Sequence, residues 1–101
     1  MKAETYLQQI KKIDVVISNR QSDKYGDGNA DDIAKLKKRR QKIIHHLERL
    51  LLPEYEVLYE CYVNGKLLKE LCSHFNRSYP WVKAMKRQAL EHLQEILDEE
   101  E

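Results

Sequence analysis

Residues 51–97 read LLPEYEVLYECYVNGKLLKELCSHFNRSYPWVKAMKRQALEHLQEIL, and the punctuation of this stretch decides the fold. Pro53 suits the start of a helix, where the N–H it lacks has no intrahelical partner, and Glu54 and Glu56 follow at the end that favours negative charge. The helix is expected to run from Pro53 to Val63 and to stop at Asn64-Gly65. A short helix of about two turns follows, from about Leu67 to Phe75, with Leu68, Leu71, Cys72 and Phe75 on one side. Asn76-Arg77-Ser78 is a tight connection. A longer helix then runs from about Pro80 to Leu97, with Pro80 at its first position and either Ser78 or Tyr79 as its cap.

The two faces of this last helix differ in chemistry. Val82, Met85, Ala89, Leu93 and Ile96 recur at spacings of three, four, four and three, so they are expected to be buried. At about 100° per residue the opposite face is centred on Pro80, Lys83, Ala84 and Arg87. That face is basic and small near the start and turns acidic from Glu91 onward. A helix that enters the major groove by its first turns and leaves it at the far end needs this distribution, because Glu91 would be repelled close to phosphate. A short helix, a turn of three or four residues and a helix of this kind form the pattern of a helix-turn-helix.

The N-terminal half reads as two more helices. The first covers about Ala3 to Arg20, with Tyr6, Ile10, Ile13, Ile17 and Arg20 in a heptad seam. Ser22 to Asn29, with Gly26 and Gly28, is a breaker. The second helix starts with Asn29 as cap and Asp31 and Asp32 in the first turn. Its seam is Ile33, Leu36, Arg40, Ile43, Leu47 and Leu50, with Arg40 placed to snorkel at the edge. Two complementary seams across a short loop predict an antiparallel hairpin. The expected fold is therefore all-α: a helical hairpin over residues 1–51, then a helix-turn-helix unit over residues 52–101 with an acidic tail. Leu50, Leu51 and Leu52 are expected to be divided between the two cores. Val15, Val16 and Ile44 widen the apolar surface of the hairpin and predict a homodimer.

Charge is segregated along the chain. Residues 1–51 carry twelve Lys and Arg against seven Asp and Glu, whereas residues 52–101 carry six against ten. Lys66 to Arg87 holds six basic residues and the single acid Glu70, and six acids follow from Glu91 to Glu101. Segregated charge of this type is compatible with a nucleic-acid footprint. The overall charge of only +1 argues against indiscriminate coating of DNA. No apolar run approaches the ~20 residues of a spanning helix, so no membrane partner is expected. Met1-Lys2-Ala3-Glu4 enters a polar helical pattern without a secretory core, which predicts a cytoplasmic protein. Cys61 and Cys72 lie in apolar helical surroundings, as small core residues in a reducing compartment do.

The stretch resembles domain 4 of sigma-70-like sigma factors. The residues that carry the likeness are Leu52-Pro53-Glu54-Tyr55-Glu56-Val57-Leu58, Tyr62-Val63-Asn64-Gly65-Lys66, Leu68-Lys69-Glu70-Leu71-Cys72, Ser78, Val82, and Ala89-Leu90 with Leu93. Cys72 stands where that family usually has Ala, and Tyr79-Pro80-Trp81 replaces the small polar residues common at the start of the recognition helix. No segment resembles the promoter-melting domain, so promoter melting by this chain is not expected. In size and layout the chain is similar to small phage and prophage proteins of Gram-positive bacteria related to the ArpU and RinA late-gene regulators. That resemblance implies sequence-specific control of phage transcription in the cytoplasm of a bacterial host.

The expected partner is double-stranded DNA. Lys83 or Arg87 would reach base edges, and Arg77, Ser78 and Lys86 would hold phosphates, with Tyr79, Trp81 and Ala84 in the same interface. Lys35, Lys38, Arg39 and Lys42 share a face of the second helix and are candidate accessory phosphate contacts. Each has a plainer reading: the lysines and arginines as solvated faces, Trp81 as a packing residue, Ser78 as a turn or cap. A rival function is a protein-interaction module that uses a sigma-like fold to bind RNA polymerase or a phage assembly or packaging factor. His45 and His46 are adjacent and point about 100° apart, and His74 and His92 are isolated, so neither a metal nor another cofactor is expected. No nucleophile–base pair or carboxylate pair is apparent, and Gly26 and Gly28 lack the context of a phosphate loop, so no catalytic residue is assigned.

Overall fold

A computed structural model describes residues 2–22 and 30–100, with side chains described for 2–19 and 32–100. Its described residues form five helices: α1 (Ala3–Ser22), α2 (Ala30–Glu48), α3 (Leu52–Tyr62), α4 (Leu68–Phe75) and α5 (Tyr79–Glu100). The chain is all-helical, with no strand among the described residues. No helix among them is long and apolar enough to cross a membrane. The Gly26–Gly28 breaker, the Asn29 cap, and the side chains of Arg20 and Asp31 lie outside the described residues.

α1 and α2 pair antiparallel. Tyr6 meets His46 and Asp14 meets Arg40, so numbers rise on one helix as they fall on the other. Ile10, Ile13, Ile43 and Leu47 are buried along the seam, and Ile17 and Leu36 are packed at its edge. Arg40 sits at that edge, 29% exposed, and donates from Nε to Asp14 Oδ1 at 2.8 Å. Such a half-exposed pair contributes on the order of 1 kcal/mol or less.

α1 departs from the simple seam. Leu7 and Ala3 are more deeply buried than Tyr6. The reason is that α5 packs on α1 as well as α2 does, so the apolar face of α1 is wider than one heptad stripe. Tyr6 lies at the rim, where its hydroxyl meets Nδ1 of His46 at 2.7 Å. Of the residues that widen the apolar surface beside the seams, Ile44 is 8% exposed, whereas Val15 is 51% exposed.

α3 starts with Leu51 extended at the cap (φ −62°, ψ 151°) and Pro53 in its first turn. Gly65 at φ +70° turns the chain back, and Lys66 N–H reaches the Glu60 carbonyl at 2.9 Å. A residue with a Cβ is disfavoured in that conformation, which accounts for glycine there. α4 ends at Asn76 in the left-handed region (φ 53°, ψ 47°), its N–H bonded to the Cys72 and Ser73 carbonyls. Asparagine is one of the few residues that tolerate this cap, and it sets the direction in which α5 departs. Val82 N–H donates to the Ser78 carbonyl at 3.1 Å, so Ser78 holds the cap position and Pro80 is the second helical residue rather than the first.

Two buried clusters hold the helices. One joins Leu7, Ile10, Ile43 and Leu47 to Leu58, Ala89, Leu93 and Leu97, so the hairpin is sealed onto α3 and α5 rather than projecting from them. The other is formed by Val57, Leu71 and Val82, with Leu68, Cys61, Cys72, Phe75, Trp81 and Met85 around it. Leu50 joins the first cluster, but Leu51 and Leu52 are 67% and 68% exposed and belong to neither core. In the last turns of α5, Leu97 is buried and Ile96 only partly, the reverse of the expected phase.

α5 also runs past Leu97 to Glu100. There His46 Nε2 meets Glu100 Oε2 at 2.6 Å and Arg49 donates to Oε1 at 3.1 Å. The hydrogen bond from His46, followed by the charges of His46, Arg49 and Lys42, holds the Glu100 carboxyl below the usual range. That tie is present while Glu100 is ionised and is lost as pH falls through its lowered pKa. Part of the acidic tail is thus a helical end pinned to α2.

Candidate nucleic-acid interface

The outward face of α5 is built by exclusion. Val82, Ala89 and Leu93 are fully buried, which turns Pro80, Lys83, Ala84 and Arg87 to solvent. These four, with Gln88 and Glu91, line a shallow groove of about 460 Å³. Ala84 leaves the floor open while Lys83 and Arg87 flank it. Arg87 is 84% exposed and lies 3.5 Å from Glu91 one turn on, an exposed pair of little stability. Arg87 can therefore exchange that contact for another acceptor at small cost.

The other expected contacts divide. Arg77, Ser78 and Tyr79 are exposed at the turn that leads into α5. Trp81 is half-buried on the flank, with its ring centroid 5.7 Å from that of Phe75, and it packs on the second cluster. Its other role is to hold Arg77, whose guanidinium carbon is 5.3 Å from the ring centroid. Such a contact is worth about 0.5–1 kcal/mol and restricts where the charge points. Lys86 leans away from the outward face, with Nζ 5.4 Å from the Tyr62 ring centroid. Trp81 and Lys86 are thus on opposite flanks of the face centred on Lys83 and Arg87.

Lys35, Lys38, Arg39 and Lys42 are all exposed on α2. Lys35 and Arg39 border a depression with Val16 and Leu36. Lys42 lies close enough to lower the Glu100 carboxyl, so this end of the basic stripe faces the acidic end of α5.

One polar constellation was not legible as such in the sequence. Glu54 is 1% exposed, and its Oε2 accepts from Gln88 Nε2 at 2.9 Å and meets His92 Nδ1 at 2.5 Å. A buried carboxylate is tolerated only when its oxygens are hydrogen-bonded. It fixes the rotation of α5 against α3 and so fixes which residues face outward. Gln88 consequently lines the outward groove while tied at its back to α3. Burial raises the Cys61 thiol, and Cys72 Sγ lies 3.7 Å from the Leu68 carbonyl. Among the described residues no group of three His, Cys, Asp or Glu side chains is placed to hold a metal ion. Comparisons of the chain with protein-family models, with curated proteins and with solved structures return no match.

Proposed function

We propose that the chain is a sequence-specific double-stranded DNA-binding regulator of transcription, in which α4, the turn at Asn76–Ser78 and α5 act as a helix-turn-helix. The observation that carries this reading is the outward face of α5, where Lys83 and Arg87 flank the small Ala84 while the opposite side of the helix is buried. Arg87 and Lys83 read base edges, Arg77 and Ser78 hold phosphate at the N-terminal end, and Gln88 joins the reading face. Buried Glu54 supports the reading by holding α5 in one rotation, which a base-reading helix needs. The resemblance to sigma domain 4 and to small phage regulators supports a role in phage or prophage gene control. A second reading, docking on RNA polymerase or a phage assembly factor, is favoured by Leu51 and Leu52, which expose adjacent apolar side chains at the α2–α3 corner.

Titration of a labelled mixed-sequence duplex across a salt series tests the first reading. Affinity is expected at ~100 mM salt, with a slope of log K against log salt no steeper than about −4 to −5 per chain. Changing Lys35, Lys38, Arg39 and Lys42 together to Gln is expected to change affinity less than tenfold, since none of the four borders either groove that Lys83 and Arg87 line. A larger loss with unchanged circular dichroism would make α2 a second DNA-binding surface. No duplex affinity at all would favour the protein-docking reading.

A further inference from the structure

The hairpin reaches the flank of α5 that carries the cations. The Ala3 N–H donates to Gln94 Oε1 at 2.7 Å, and Ala3 is 3% exposed, so the first turn of α1 is fastened to α5. Lys2 precedes that turn, and its carbonyl accepts from Tyr6 N–H at 3.0 Å. Its position beside α5 is therefore set by the fold.

A groove of about 510 Å³ lies between the start of α1, Leu68 of α4 and the flank of α5. Lys2, Lys83, Lys86 and Arg87 border it, against the two carboxylates of Glu4 and Glu91. Glu91 shares the groove with Lys83 and Lys86 as well as with Arg87 at 3.5 Å, so its charge stays offset when Arg87 turns to a base, and the Glu4 carboxylate lies beside the Tyr62 phenol. Among the described residues, Lys2, Lys83 and Lys86 enter no ion pair. Lys83 and Gln94 are eleven residues apart, about 16 Å along the helix.

We propose that this groove seats the sugar–phosphate backbone of the DNA strand bordering the major groove that α5 enters, and that Lys2 is a phosphate contact supplied by the hairpin. The inference rests on the DNA-binding reading and adds to it an element outside α4 and α5. Continuity argues for it: Lys83 and Arg87 line both the outward face of α5 and this groove, so a strand following the helix flank meets both. Charge argues for it as well, because Lys2, just ahead of α1, and three cations of α5 converge where two acids oppose them. A length of about 16 Å accommodates two or three successive phosphates of one strand. An acidic protein segment would satisfy the charges but gains nothing from the shared residues on the reading face.

The test uses the full chain carrying Lys2→Gln, titrated with duplex DNA over a salt series, beside Lys83→Gln and a control, Lys12→Gln, on the exposed side of α1. Lys2→Gln is expected to weaken binding about three- to tenfold on specific and random duplexes alike, and to make the salt slope shallower by about 1. Lys12→Gln should change neither quantity. Lys2→Gln binding like the wild type while Lys83→Gln binds weakly would overturn the inference and leave the DNA reading standing. Equal losses for Lys2→Gln and Lys12→Gln would also overturn it, since only net charge would then matter. A wild-type chain without duplex affinity would remove both readings.

Discussion

Leu71→Ala is expected to destabilise the protein by about 2–5 kcal/mol. Leu71 is fully buried and, with Val57 and Val82, is one of only three buried residues in the cluster that holds α4 to α3 and α5. Removing its isobutyl group forfeits the transfer energy and leaves a cavity that short α4, with 8 residues, has little means to close. For a chain of this size the loss corresponds to a fall in Tm on the order of 10 °C or more. Leu71→Met, which keeps the volume, should cost less than about 1.5 kcal/mol. Thermal or urea unfolding measures both. A change within about 0.5 kcal/mol for Leu71→Ala would mean that α4 is not seated as described.

Arg87→Ala is expected to leave the fold intact and to weaken binding to a preferred duplex by about 1–3 kcal/mol, relaxing the preference at one base pair. The side chain is 84% exposed and packs on nothing whose loss would unfold α5. It borders the outward groove beside the small Ala84, and its exposed pair with Glu91 at 3.5 Å is weak enough to be exchanged for a base edge. Equal losses on preferred and random duplexes would reassign Arg87 to phosphate contact. Unchanged binding to both would remove it from the interface.

Periodicity revealed what depends on periodicity. Val82, Ala89 and Leu93 follow from their spacing, and they are the residues the core takes up. The same rule underestimated α1, because a heptad seam assumes one neighbour and α1 has α2, α3 and α5. Leu7 therefore counts for more than Tyr6. In α5 the phase drifted by its last turn, so Leu97 and not Ile96 is buried. Ser78 and Tyr79 were equal candidates for the cap, since only the backbone hydrogen bond from Val82 separates them.

The polar interior was not legible for a different reason. Glu54 read as an acid suited to a helix start and His92 as an isolated histidine. Their meeting depends on α3 and α5 crossing, a separation of 38 residues that no local pattern encodes. His46 and Glu100, 54 residues apart, were hidden in the same way, one inside a pair of histidines and the other inside an acidic run. The placement of Lys2 beside α5 was hidden likewise, since it depends on Ala3 reaching Gln94, 91 residues away.

The central claim is that α5 reads DNA sequence. Selection of bound sites from a pool of random duplexes by the 101-residue chain tests it most directly. The account predicts enrichment of a short common motif, with the wild-type chain preferring it to random duplex by about a thousandfold or more at physiological salt. Retention of duplexes without any enriched sequence, or no retention at all, would contradict it.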